Sequence, residues 1–208
     1  MTLVKICGIT TIDDRDMCVS EGADLLGFNL YSGSKRYVPV SKLKDLIVPD
    51  TGKQSVFVCV DMPVDELILL AEEYSPGYIQ LHGNESKYIL RELKKALPGV
   101  YLIKKTQIGR KDEFGDMLDT ADYILCDTRT PEFGGSGRRF EWNKLAGLGS
   151  EVRNRLFVAG GIGPANVEEL VSYDIYGIDI ASGSEVSPGI KDRDAVRKII
   201  MKVRSHAE

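Results

Sequence analysis

The feature that most constrains this chain is an eightfold alternation. Short runs rich in β-branched and aromatic residues are each followed by a longer segment of helical period, with Gly, Pro, Asp, Asn or Ser at the switches. The strand-like runs fall at residues 3–7, 25–29, 55–61, 78–82, 101–105, 123–127, 156–159 and 177–181, and the helical segments at 13–21, 41–47, 64–74, 85–97, 112–120, 143–148, 166–171 and 192–204. Eight units sharing 208 residues leave about 26 residues each, enough for a strand, a helix and two short loops. A strand that returns through a helix pairs in parallel, and eight such units fit a closed (β/α)8 barrel. An open doubly wound sheet is the alternative, but it generally has fewer units and carries its phosphate fingerprint after the first strand. The segment there, Lys5-Ile-Cys-Gly-Ile-Thr10, is not GxGxxG. With no linker, internal repeat or low-complexity stretch, the expectation is one α/β barrel domain over residues 1–208.

Composition narrows what such a barrel would handle. Hydrophobic residues make up 43% and charged residues 28%, the balance of a folded chain. Lys and Arg number 27 against 31 Asp and Glu, for a net charge of −4, which argues against nucleic acid or an anionic membrane as partner and favours a small molecule. No apolar run approaches the roughly 18 residues needed to cross a bilayer. The start of the chain goes directly into strand-like sequence without a leader pattern, so a cytoplasmic location is expected. Cys7, Cys18, Cys59 and Cys126 show no CxxC spacing, and His82 and His206 are the only histidines. Reduced thiols and no metal are therefore expected.

Functional groups in such barrels sit at the C-terminal strand ends, and strand alternation decides which residues point inward. If Val4 and Ile6 meet the helices, Lys5 and Cys7 face the axis; by the same parity Gln80 and His82, Leu125 and Asp127, and Asp179 and Ala181 share faces. A lone Cys in a strand usually packs as a small hydrophobe, the reading retained for Cys18, Cys59 and Cys126, but Cys7 sits where a base would be useful once partly thiolate. Asp127 taken alone could be a strand-end cap, yet its parity is inward. His82 alone reads as a hydrogen-bonded structural histidine. Arg36, on the loop after the second strand, offers forked donors suited to a planar carboxylate. Glycine-rich turns fall late, at Gly134-Gly-Ser-Gly137, Ala159-Gly-Gly-Ile-Gly-Pro164 and Ser182-Gly-Ser-Glu185, where barrels commonly bind phosphate through backbone N–H groups. Lys5 and Asp179 both face inward, and barrel closure makes their strands neighbours, so an ion pair or a water-bridged link between them, adding positive potential below Cys7, is expected.

Taken in order, these segments resemble the phosphoribosylanthranilate isomerase family of tryptophan (aromatic amino acid) biosynthesis. The resemblance covers essentially the whole chain, from Lys5-Ile-Cys-Gly-Ile-Thr10 through Gly22-Ala-Asp24, Gly27-Phe28, Ser34-Lys-Arg-Tyr-Val38, Gln80-Leu-His-Gly-Asn-Glu85, Cys126-Asp127, Phe140-Glu-Trp142 and Ala159-Gly-Gly-Ile162 to Asp179-Ile-Ala-Ser-Gly183 and Pro188-Gly-Ile-Lys-Asp192. It implies a TIM barrel that performs a cofactor-independent Amadori rearrangement. N-(5-phosphoribosyl)anthranilate would become 1-(2-carboxyphenylamino)-1-deoxyribulose 5-phosphate, with Cys7 matching the general base, Asp127 the general acid and Arg36 the partner of the anthranilate carboxylate. Gly160, Gly161, Ser182 and Gly183 match the phosphate site, and His82 and Gly135 complete the candidate substrate-binding set. Lys35, Cys126, Ala181 and Ser184 depart from the usual pattern without removing any of these groups. Neighbouring enzymes of the tryptophan pathway are the protein partners implied. A histidine-pathway aminoaldose isomerase is the nearest rival; it would use an aspartate where Cys7 stands and a glycine pair after strand three, which Val58-Cys-Val-Asp-Met-Pro63 lacks. A non-catalytic phosphosugar-binding barrel is the third reading.

Overall fold

The computed structural model describes residues 1–47, 54–106, 114, 117–127 and 142–206. Eight parallel strands close on themselves in chain order: β1 Leu3–Cys7, β2 Leu25–Asn29, β3 Ser55–Cys59, β4 Tyr78–Leu81, β5 Tyr101–Thr106, β6 Tyr123–Asp127, β7 Leu156–Ala159 and β8 Gly177–Ile180, with β8 pairing back onto β1. Helices on the outside include Ile12–Glu21, Val64–Tyr74, Lys87–Ala96 and Arg193–Ser205. Their starts are set by side-chain caps: Thr11 accepts from the Asp14 N–H at 3.1 Å, and Asp192 accepts from Asp194 and Ala195 at 2.9 and 3.1 Å.

Strand alternation builds two separate cores. Val4, Ile6, Leu26, Phe28, Ile79, Ile124, Val158 and Ile178 pack outward against the helices, while Leu25, Val56, Tyr78, Ile103, Leu125 and Phe157 fill the barrel with Leu3, Tyr123 and Tyr176. Tyr123 and Tyr176 stack with centroids 4.4 Å apart and their hydroxyls meet at 2.9 Å. These residues lie toward the strand starts, so the apolar filling ends below the C-terminal mouth and polar inward side chains occupy the last layer.

Several boundaries differ from the sequence-based expectation for local reasons. The third strand stops at Cys59, short of residue 61, because Asp61 takes a left-handed φ of 49° and its N–H turns to the Glu85 carboxylate at 3.0 Å. Segment 41–47 divides into a 3-10 turn, Val40–Lys42, and the short helix Leu43–Leu46; segment 143–148 is likewise a 3-10 helix, Trp142–Gly147, with a one-turn helix at Ser150–Arg153. A small antiparallel hairpin unforeseen in the sequence, β9 Glu185–Ser187 with β10 Ile190–Lys191, follows β8. The turn 134–137, including Gly135, and part of the expected helix 112–120 lie outside the described residues.

Candidate active site

Cys7 ends β1 and pairs in register with Gly27, while Lys5, two residues earlier on the same face, pairs with Asp179 of β8. The expected ion pair is present: Lys5 Nζ donates to Asp179 Oδ1 at 2.8 Å, with the lysine side chain wholly buried. Burial alone would lower the Lys5 ammonium, but Asp179 and then Cys7 outweigh it and its pKa is raised. The expected help to Cys7 is outweighed. Burial pushes the Cys7 thiol up and Asp179 pushes it further, and Lys5 and Lys191 draw it back only in part.

Across the barrel, β6 ends at Asp127 and β4 runs out one residue before His82, whose N–H still continues the ladder to the Cys59 carbonyl at 2.8 Å. His82 Nε2 lies 3.9 Å from Asp127 Oδ2, outside hydrogen-bond range, and His82 Nδ1 lies 3.0 Å from the Gln80 amide nitrogen. Desolvation, with the Lys105 charge second, holds the His82 pKa down to about 4, against the pull of Asp127 and Asp179. The ring is therefore neutral at pH 7 and offers one donor and one acceptor rather than a charge. Lys105, which the sequence reading overlooked, follows Ile103 by two residues on the inward face of β5; its parity was the available signal.

Arg36 reaches the site from the loop after β2. Gly8, at a φ of +84°, lies directly under it, and a Cβ there would overlap the Arg36 Cδ. The guanidinium is gripped by Glu185: Nε donates to Oε1 at 2.8 Å and to Oε2 at 3.0 Å, and Nη2 donates to Oε2 at 2.5 Å. This contact, chiefly through its hydrogen bonds, raises the Arg36 pKa. Lys191, also buried, donates to Glu185 Oε1 at 2.8 Å and to the Cys7 carbonyl at 2.6 Å. Neither Glu185 nor Lys191 stood out as a site residue in the sequence, because 149 residues separate Arg36 from its carboxylate partner.

Two of the late glycine turns, after β7 and after β8, lie against each other. Gly160 and Gly161 both take left-handed φ values, 92° and 67°. Asn166 clasps the loop, its Oδ1 accepting from the Gly163 N–H at 2.9 Å and its Nδ2 donating to the Gly161 carbonyl at 2.9 Å. The Ser182–Ser184 turn presses against it so closely that a Cβ on Gly183 would overlap the Ile162 carbonyl. Ser184 is buried and donates to the Ala181 carbonyl at 2.8 Å, which pins this turn to the end of β8. Cys7, His82, Asp127, Arg36 and both turns thus open on one end of the barrel.

A profile of the N-(5'-phosphoribosyl)anthranilate (PRA) isomerase family matches residues 4–202. Among curated relatives, the N-(5'-phosphoribosyl)anthranilate isomerase of Thermotoga neapolitana is 33% identical over 98% of this chain and 99% of its own, and that of Rhodopseudomonas palustris is 32% identical with the same coverage. Among solved structures, the phosphoribosyl anthranilate isomerase of Thermotoga maritima superposes with a TM-score of 0.82 at 30% identity, covering 99% of this chain and 100% of the other. A phosphoribosyl anthranilate isomerase in complex with reduced 1-(o-carboxyphenylamino)-1-deoxyribulose 5-phosphate gives 0.79 at 27% identity, again covering 99% and 100%. Agreement of this extent in sequence and in fold makes the chain a member of the N-(5'-phosphoribosyl)anthranilate isomerase family.

Proposed function

We propose that the chain isomerises N-(5-phosphoribosyl)anthranilate to 1-(2-carboxyphenylamino)-1-deoxyribulose 5-phosphate in tryptophan biosynthesis, with Cys7 as general base and Asp127 as general acid. The observation that carries these roles is the convergence of the inward strand ends of β1 and β6 on one mouth, below a two-loop glycine cradle at β7 and β8. A substrate held by its phosphate at that cradle and by its carboxylate at Arg36 is fixed at both ends, so its ribose spans the mouth between β1 and β6. Asp127 then gives a proton to the furanose ring oxygen, the ring opens to a Schiff base, and Cys7 removes the C2 proton to leave an enamine that becomes the aminoketose. Proton count is conserved: one is delivered to the ring oxygen and one is taken from C2. His82, neutral and beside Asp127, serves as a hydrogen-bonding wall for the sugar hydroxyls.

The substrate is a small phosphoribosyl molecule, and the place of work is the cytoplasm; among the described residues no helix is long and apolar enough to cross a membrane. Transient contact with neighbouring pathway enzymes belongs to the same proposal. The deciding measurement is loss of anthranilate fluorescence on adding purified protein to fresh substrate, run in parallel with the histidine-pathway aminoaldose. Turnover of the first alone supports this activity; turnover of the second alone, or of neither, rejects it. Cys7→Ser and Asp127→Asn should each fold and lose roughly 10² to 10⁴-fold in kcat, the usual scale for one acid or base. Turnover near the wild-type rate in either variant rejects that residue's role.

A further inference from the structure

We propose that Glu185 is a positioning residue for the substrate, holding Arg36 so that the free edge of its guanidinium meets the carboxylate. The inference rests on the assignment of Arg36 made above. A guanidinium has two edges able to grip a carboxylate, one through Nε and one Nη, the other through both Nη atoms. Glu185 takes the first edge with three contacts of 2.5 to 3.0 Å, which leaves the Nη1–Nη2 edge as the one a substrate can use. Glu185 does not have to be displaced for this. Its side chain is 3% exposed and is held from behind by Lys191 at 2.8 Å and by the Gly189 N–H at 3.3 Å.

The charges and connections fit this role. Arg36 and Lys191 both pair with the Glu185 carboxylate, so Glu185 is anchored from two sides while the guanidinium keeps donors for an incoming carboxylate. Lys191 also donates to the Cys7 carbonyl at 2.6 Å. One network therefore ties the arginine that would orient the substrate to the strand end that would carry its base. The stem of Arg36 lies close over Gly8, where a larger residue would collide with it.

The test is a double-mutant cycle on the intact chain, read by steady-state kinetics and by thermal unfolding. Glu185→Gln keeps the shape and removes the charge; KM for phosphoribosylanthranilate should rise roughly tenfold or more while kcat stays within about threefold, because Cys7 and Asp127 are untouched. In an Arg36→Met background the same replacement should change KM by less than about twofold, since the part of substrate binding that Glu185 controls runs through Arg36. Glu185→Asp, which keeps the charge but withdraws it by one methylene, should fall between the two and serves as the probe if the Gln variant does not fold. Arg36→Met raising KM while Glu185→Gln leaves it unchanged overturns the positioning role, and so does an equal KM effect in both backgrounds. Arg36→Met without any KM effect overturns the carboxylate assignment itself, a distinct failure.

Discussion

Cys7, the proposed base, is a thiol in a place that resists its ionisation. Burial and the Asp179 carboxylate raise its pKa above the ordinary thiol value of 9.0, and the two lysines nearby offset this only in part. The thiolate is therefore a small fraction of the free protein at neutral pH, but a stronger base for each ion formed, which suits removal of a weakly acidic C–H proton. Alkylation measured against pH reads this directly, because Cys59 and Cys126 are held up at about 12 by burial, as is Cys18. The Cys7 alkylation rate should climb with pH to a midpoint above 9.0. Lys5→Met, by removing a positive charge, should move that midpoint up, and Asp179→Asn should move it down. A midpoint below the ordinary thiol value, or shifts of the opposite sign, would contradict this electrostatic account.

At the scale of elements, the glycine turns proposed to hold phosphate depend on contacts that a single side chain controls. Asn166 bridges Gly161 and Gly163 and so fixes the curl of the β7 loop against the Ser182–Ser184 turn. Asn166→Ala should leave the barrel folded and cost about 1 to 3 kcal/mol of binding, the worth of two hydrogen bonds that hold a pre-formed loop. Inorganic phosphate, tested as a competitive inhibitor, should weaken correspondingly, and an unchanged inhibition constant would place the anion elsewhere. These turns were legible in the sequence because glycine marks close backbone approach, and the strands because apolar and inward polar residues alternate with period two. The β9–β10 hairpin was not. Its strands are three and two residues long, too short for any period to register, and its partners are distant in the chain. Arg36 could thus be proposed as a carboxylate ligand while Glu185, the residue that grips it, went unseen.

For the whole molecule the decisive step is closure, in which β8 returns to β1 and brings Asp179 into register with Lys5. Both residues could be assigned to the interior by parity alone, and the 2.8 Å pair lies where the two strands meet. The pair does not make closure favourable by itself, since desolvating two charges offsets much of their attraction. Its effect is on what closure tolerates. With Asp179 present the Lys5 pKa is raised, so the pair's contribution is fully present below the ordinary lysine value of 10.5 and is lost as pH rises through the higher native value. At pH 7 the two halves should then respond unequally to mutation. Asp179→Ala strands a wholly buried ammonium and should destabilise by about 3 to 5 kcal/mol. Lys5→Met fills similar volume and leaves a carboxyl at the edge of the mouth that can take up a proton, so it should cost clearly less. Urea unfolding midpoints of the two variants decide it. A Lys5→Met midpoint below that of Asp179→Ala would mean that the lysine stem or its charge, rather than the neutralising acid, is what the closed barrel requires.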